Sequence, residues 1–459
     1  MKYISTRDNS KEYSFEEVFI KGLADDGGLF VPREVKKYNA QELESLSSLN
    51  YQDLAKKIIY PFIDDFMTVN ELSDIVEKSY SVFRKDNVVD LIKVGDTKLL
   101  ELFHGPTLAF KDIAMQLLGN FYEHYLNKDN KSINVVVATS GDTGAAAIDA
   151  IKGKKNMNIF VLHPHKKVSL VQRKLMSTVK EKNVFNIAIE GNFDDCQNLV
   201  KSMFADKEFS NSINMSGVNS INWARIIAQA VYYFYTYFKI RDNKQVNFSV
   251  PTGNFGDVYA GYLAKKMGLP INKLIVATNQ NDILHRAILN GKYEAESVFE
   301  TNSPSMDIQI ASNFERLVYD LNNCDDKETQ KIMNGIKKEN KYIISKNKME
   351  RIDKDFLSAS MSEEEVLDTI KEVFTKYAII LDPHSAIGFG ALKKTNIDGN
   401  NIVLVTAHPC KFPDAIDKSI GIKPDLPDEL KYIMDEKENY DIISNNLSKT
   451  QQYIKEKVQ

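Results

Sequence analysis

The sequence predicts an α/β protein with two open, parallel-type lobes and a helical N-terminal region. Three observations carry this. From Ile133 onward, short β-branched runs alternate with helical stretches: INVVVAT (133–139), NIFVLH (158–163), VFNIAIE (184–190), VNFSV (246–250), KLIVAT (273–278), YAIIL (377–381) and NIVLVT (401–406). Continuous apolar strands separated by helices are the pattern of parallel sheets buried on both faces. At 459 residues the chain exceeds one ordinary core, so two or three lobes are expected. Turn-forming segments that could hold ligands directly follow three of the strands, where open α/β sheets bind them.

Residues 1 to about 90 read as helical and polar-rich. They are interrupted by GLADDGGLFVP (22–32), a turn cluster before a short apolar run. The stretch 322–375 is dominated by Lys, Glu, Asp and Asn, and its helical spacing predicts a solvated insertion without chemistry. The last forty residues are expected to pack as terminal helices. No internal repeat or low-complexity tract is visible.

With 43% apolar and 27% charged residues, the composition is that of a globular protein in water. A net charge of −4 without basic clusters argues against nucleic-acid and membrane-surface partners. The start, MKYISTRDNSKEYSF, lacks the apolar core of a secretory signal. No run nears the ~18 apolar residues of a membrane span. Cys196, Cys324 and Cys410 lie far apart without metal spacing. Sparse cysteines suit a reducing compartment, so a cytoplasmic location is expected.

Four segments could carry chemistry. In HGPTLAFKD (104–112), Lys111 opens a helical stripe of Phe110, Ile113, Ala114, Leu117, Leu118 and Phe121. Its stem points toward packed surface, with Asp112 rotated to the polar side. Desolvation would lower the lysine's pKa and free its amine as nucleophile or base. Spacing alone favours the plainer alternative, a lysine whose amine snorkels to water. SGDTGAAA (140–147) follows a strand with a tight glycine turn and a helix start able to hold an anion. Its G-x-x-G spacing departs from the dinucleotide fingerprint, so a carboxylate is the better ligand. PTGNFGD (251–257) lies between a strand and a helix, and its glycines let amides converge on a phosphate. Asp257 is unexpected there and is read as a helix cap. TAHPCKF (406–412) follows the last apolar strand.

Taken in order, HGPTLAFKD, SGDTGAAA, NSINWARI (219–226), PTGNFGD and TAHPCKF resemble the threonine synthase family, in its longer form signalled by GLADDGGLFVP. The resemblance spans about residues 1–420. It implies the tryptophan-synthase-β-like fold of pyridoxal-phosphate enzymes, known as fold type II. The domains would be 1–90, a large cofactor-binding unit of 91–130 and 213–459, and a small unit of 131–212. It further implies that Lys111 holds pyridoxal 5'-phosphate as a Schiff base and serves as proton shuttle. Gly253, Asn254, Phe255, Gly256 and Asp257 would line the cofactor phosphate, and Thr406 would meet the pyridine nitrogen. Ser140, Asp142 and Thr143 would lie against the substrate carboxylate and cofactor ring. Asn219, Ser220 and Arg225 would grip the substrate phosphate, although the helix pattern alone favours a surface arginine. The implied reaction is O-phospho-L-homoserine and water to L-threonine and phosphate, catalysed by a monomer or homodimer.

The remaining candidates have structural readings. His104 is as well explained by structure as by the site. His163 and His165 mimic a metal pair but lack a carboxylate arrangement. Asp382-Pro-His384-Ser385 borders the pocket or merely follows a strand, with even weight. Trp223 is read as core, and Tyr232, Tyr233, Tyr235 and Tyr237 as a helix face packed between lobes. Competing functions are a serine/threonine deaminase or cysteine synthase, a cofactor-bound pseudoenzyme, and a nicotinamide oxidoreductase.

Overall fold

Two sheets organise residues 1–129, 131–240 and 244–458, which the computed structural model describes. The larger has six strands in the order Phe356–Ser360, Ile271–Thr278, Val246–Pro251, Asn400–Val405, Thr97–Glu101 and Asp90–Val94. Every neighbouring pair is parallel except the last, an antiparallel hairpin. The smaller is parallel throughout, in the order Asp441–Ser444, Val184–Glu190, Met157–Pro164, Ile133–Ala138 and Met215–Ser216. Central strands are covered on both faces, which is why Val246–Pro251 is buried at every residue.

The runs at 133–139, 158–163, 184–190, 246–250, 273–278 and 401–406 form strands close to their expected bounds. YAIIL does not. Val366, Thr369, Ile370 and Val373 maintain a helical stripe, so the helix Glu363–Tyr377 runs into this segment. It ends at Ala378 in the left-handed conformation, φ 56°. The 322–375 stretch is also more than a solvated insertion. Its strand Phe356–Ser360 pairs with Ile271–Thr278 and buries Phe356 and Ala359. Leu357, Ser358 and Ser360 are only half-buried in this edge strand, so it lacks the long apolar run of the central strands. The C-terminal segment is not purely helical either: Asp441–Ser444 forms a parallel edge strand before the helix Leu447–Val458. The segment 213–459, expected in the larger unit, therefore divides, because Met215–Ser216 and Asp441–Ser444 belong to the smaller sheet.

The N-terminal region holds helices Phe15–Lys21, Ala40–Leu46, Tyr51–Ile63 and Val69–Tyr80, plus a two-stranded sheet of Tyr3–Ser5 and Phe30–Pro32. Ser14 with Glu17, and Thr68 with Glu71, form capping boxes that fix two of the helix starts. The region packs on the helix Trp223–Lys239, in which every residue from Trp223 to Thr236 is buried. A helix enclosed on most sides accounts for Trp223, Tyr232, Tyr233 and Tyr235 as core, while Tyr237 is half-buried. Lys111–Asp129 crosses Asp142–Ile151 so closely that a Cβ on Gly119 would stand 2.4 Å from Ala150 O. This crossing brings Lys111 to Asp142. Among the described residues no helix is long and apolar enough to cross a membrane.

Candidate active site

A cavity of about 1090 Å³ lies at the carboxyl ends of both sheets. Lys111, Ser140, Asp142, Thr143, Asn219, Ser220, Arg225, Gly253, Asn254, Phe255, Gly256, Asp257 and Thr406 all line it. Residues far apart in sequence meet here because each follows a strand or opens a helix at this end of the fold.

Lys111 begins its helix beneath the turn of residues 104–110. Its Nζ stands 3.3 Å from Asp142 Oδ2 and 5.0 Å from the centroid of the Phe110 ring. Burial depresses its pKa; Asp142 opposes that, while Lys411 and Arg225 reinforce it. Asp112, expected on the polar side, is instead fully buried. It accepts from Thr107 N at 2.8 Å and Thr107 Oγ1 at 2.6 Å. The turn wraps onto this carboxylate at Gly105, whose Cβ would lie 2.4 Å from Asp112 Cβ. Burial raises the Asp112 carboxyl to about 6.

Asp142 opens the next helix from Gly141, whose φ of 143° favours glycine. Its Oδ1 accepts from Gln172 Nε2 at 2.9 Å and pairs with Lys411 Nζ at 2.7 Å. Burial alone would raise this carboxyl, but Lys411 and Lys111 override it and hold Asp142 far below the ordinary range. Sequence reasoning quoted Lys411 without giving it a role and missed Gln172. The signal was a cation directly after a buried strand.

Across the cavity, Phe255 precedes the helix Gly256–Lys266 in the left-handed conformation, φ 62°, with no side chain capping the helix. Phe255 is anchored by rings of Phe314 and Phe356. A Cβ on Gly253 would meet Ser305 O at 2.7 Å, so only glycine fits against that backbone. The uncapped helix start faces the cavity as an anion cup. Asp257 is not its cap. Its Oδ1 accepts from the hydroxyls of Tyr232 at 2.5 Å and Tyr233 at 2.8 Å. Burial raises Asp257 to about 6, against the lowering effect of the tyrosines.

Arg225 is buried rather than on a helix surface. Nη1 donates to Val218 O at 3.1 Å, while Nε is buried without a partner among the described residues. Burial lowers this guanidinium to about 10. Asn219 and Ser220 precede it in a loop held from behind by Asn313 and Arg316, which sequence reasoning missed. Thr406 N donates to Ser385 Oγ at 3.0 Å, and Thr406 O accepts from Phe110 N at 2.8 Å. His384 borders the cavity: Nδ1 lies 2.9 Å from Asp382 Oδ2, and buried Nε2 has no partner among the described residues.

His104 pairs with Glu101 at 3.0 Å, and His163 and His165 stand near the Tyr440 ring. Sequence reasoning also missed that Ile20 to Asp25 and Gly27 form part of the cavity wall. The cluster GLADDGG signalled only a turn.

A sheet pair enclosing a buried lysine opposite an uncapped helix start defines the class of pyridoxal-phosphate dependent enzymes, whose family model matches residues 99–407. Residues 2–80 match the threonine synthase N terminus, and residues 385–454 the threonine synthase C-terminal family. The chain is 44% identical to threonine synthase of Pseudomonas aeruginosa, covering 99% of this chain and 98% of that protein. It is 44% identical to the Saccharomyces cerevisiae enzyme, covering 94% and 92% respectively. The crystal structure of pyridoxal-phosphate-bound threonine synthase from Brucella melitensis superposes with a TM-score of 0.97 at 43% identity, covering 100% of both chains. The yeast threonine synthase structure gives 0.94 at 42% identity, covering 100% of this chain and 98% of that one. The chain belongs to the threonine synthase family.

Proposed function

We propose that the protein converts O-phospho-L-homoserine and water to L-threonine and phosphate with pyridoxal 5'-phosphate as cofactor. The observation that carries this reading is the buried amine of Lys111 sharing one cavity with the uncapped helix start at Phe255. The residues fit the cofactor. Gly253 admits no Cβ, so backbone amides at 253–256 can approach a phosphate closely. Thr406, at a strand end tied to Phe110, suits the pyridine nitrogen with a neutral hydroxyl.

When bound, pyridoxal phosphate supplies an aldehyde for the substrate amine and an electron sink for its carbon skeleton. Lys111 would hold the aldehyde and, as a neutral amine, would take the Cα proton at Nζ. Its depressed pKa favours that neutral form. Ser140 and Thr143 offer hydroxyls to the substrate carboxylate, while Asp142 is engaged by lysines. Arg225, with its unpartnered Nε, and the loop residues Asn219 and Ser220 bind the substrate phosphate. The free thiols Cys196, Cys324 and Cys410 accord with a cytoplasmic setting.

The test is phosphate and threonine release from phosphohomoserine by purified protein, with and without added pyridoxal phosphate. Cofactor-dependent release of both in equal amounts is expected. Turnover of serine with none of phosphohomoserine would overturn the assignment in favour of a deaminase.

A further inference from the structure

Lys411 is fully enclosed, with its side chain 0% exposed, and the chemistry above does not use it. Its Nζ lies 2.7 Å from Asp142 Oδ1 and donates to Thr107 O at 2.8 Å. Lys111 Nζ stands 3.3 Å from the other carboxylate oxygen, Oδ2. One buried carboxylate is therefore shared by two amines, with the shorter contact going to Lys411.

Charge balance decides between them. A buried group of unlike charges is tolerated when it is neutral, and an unbalanced charge is costly. With both lysines protonated the trio carries a net positive charge. With Lys411 protonated and Lys111 neutral it is balanced. The other charged groups around it offset one another: the Asp112 carboxylate acts on Lys411, and the Arg225 guanidinium acts on Lys111. Arg225, from the helix Trp223–Lys239, acts on Lys111 as a further cation. His384, from the helix Pro383–Thr395, pairs through Nδ1 with Asp382 at 2.9 Å. Gln172 is neutral, and Asp112 is turned onto Thr107. Had Asp142 only Lys111 as partner, the same balance would require Lys111 to be an ammonium, which has no lone pair to react.

We propose that Lys411 is a positioning residue for Lys111: as the fixed counter-ion of Asp142, it leaves the Lys111 amine uncharged and able to condense with the cofactor aldehyde. In that condensation the Lys111 lone pair forms the nitrogen–carbon bond. The aldehyde oxygen leaves as water with the two amine protons. Burial and Lys411 both push Lys111 toward its neutral form, in line with this arrangement. The inference rests on the proposed pyridoxal-phosphate chemistry.

The test follows the rate at which cofactor-stripped protein takes up added pyridoxal phosphate, read by absorbance across a pH series. Lys411→Met is expected to move the pH of half-maximal rate upward by about one unit or more, slowing uptake about tenfold at neutral pH. Asp142→Asn is expected to move it downward, and the double variant to return it near wild type. Lys411→Arg, which keeps the charge, should stay near wild type. An unmoved profile in Lys411→Met, or a double variant no better than the single, overturns the proposal and leaves Lys411 as a tether for Thr107. If Lys411→Met does not fold, Asp142→Asn decides, because an unchanged or upward shift there also overturns it. Failure of the wild-type protein to take up cofactor at any pH would instead overturn the reading of the cofactor.

Discussion

Arg316 Nη2 lies 2.7 Å from Ile221 O and 2.9 Å from Phe30 O, so one guanidinium joins the loop carrying Asn219 and Ser220 to the N-terminal strand. Its carbon also sits 5.3 Å from the centroid of the Trp223 ring. A planar fork can satisfy two carbonyls and stack on an aromatic face at once; an ammonium cannot. The N-terminal region thereby sets the position of the proposed phosphate grip.

Arg316→Lys should test this link. Leaving buried carbonyls unpaired is expected to lower stability by about 1–3 kcal/mol. The KM for phosphohomoserine should rise about tenfold, with cofactor uptake little changed. Urea unfolding and steady-state kinetics measure both, and an unaltered KM in a destabilised protein would confine Arg316 to packing.

Lys111→Ala should remove the absorbance that borohydride bleaches and abolish threonine formation. Purified wild type should be yellow. Near-normal turnover by the variant would place the reactive amine elsewhere.

Arg225→Ala should raise KM for the phosphorylated substrate far more than it weakens cofactor binding, because Arg225 stands apart from the 253–257 turn in sequence and role. Equal losses in both would move Arg225 to the cofactor phosphate.

Asp257→Asn has a pH-dependent signature. Burial raises the native carboxyl from 3.8 to about 6, so the folded protein binds this proton more tightly than the unfolded chain. The stability from this group is therefore full below the unfolded value and is lost as pH rises through the native one, a change of about 3 kcal/mol. Urea midpoints at about pH 4 and pH 7 should show wild type losing that much relative to the variant. A constant difference between the two proteins would mean that Tyr232 and Tyr233 fully offset the burial.

The sequence readily exposed the central strands, because a strand buried on both faces must be largely apolar, as INVVVAT is. Edge strands escape that demand. FLSAS and DIIS were therefore hidden among Lys- and Asn-rich stretches. YAIIL failed for the converse reason: its apolar residues cluster at the end of a helix that buries Val366, Ile370 and Val373. The 253–257 turn was legible because its two glycines directly follow a strand end; Lys111, which spacing alone reads as a snorkelling lysine, was singled out by the family resemblance of HGPTLAFKD. Arg316, Gln172 and the role of Lys411 were not. Each acts through a partner distant in sequence, and such pairings leave no local spacing to read.

Because Asp441–Ser444 flanks Val184–Glu190, the sheet that carries Ser140 and Asp142 closes across most of the chain's length. Translation delivers four of its five strands early and the fifth, the Asp441–Ser444 edge, only after the whole larger sheet has emerged. Until residue 444 leaves the ribosome, the Val184–Glu190 edge stays bare, and a bare edge recruits whatever strand it meets. Nascent chains stalled before that point should be aggregation-prone in a way that the finished protein is not.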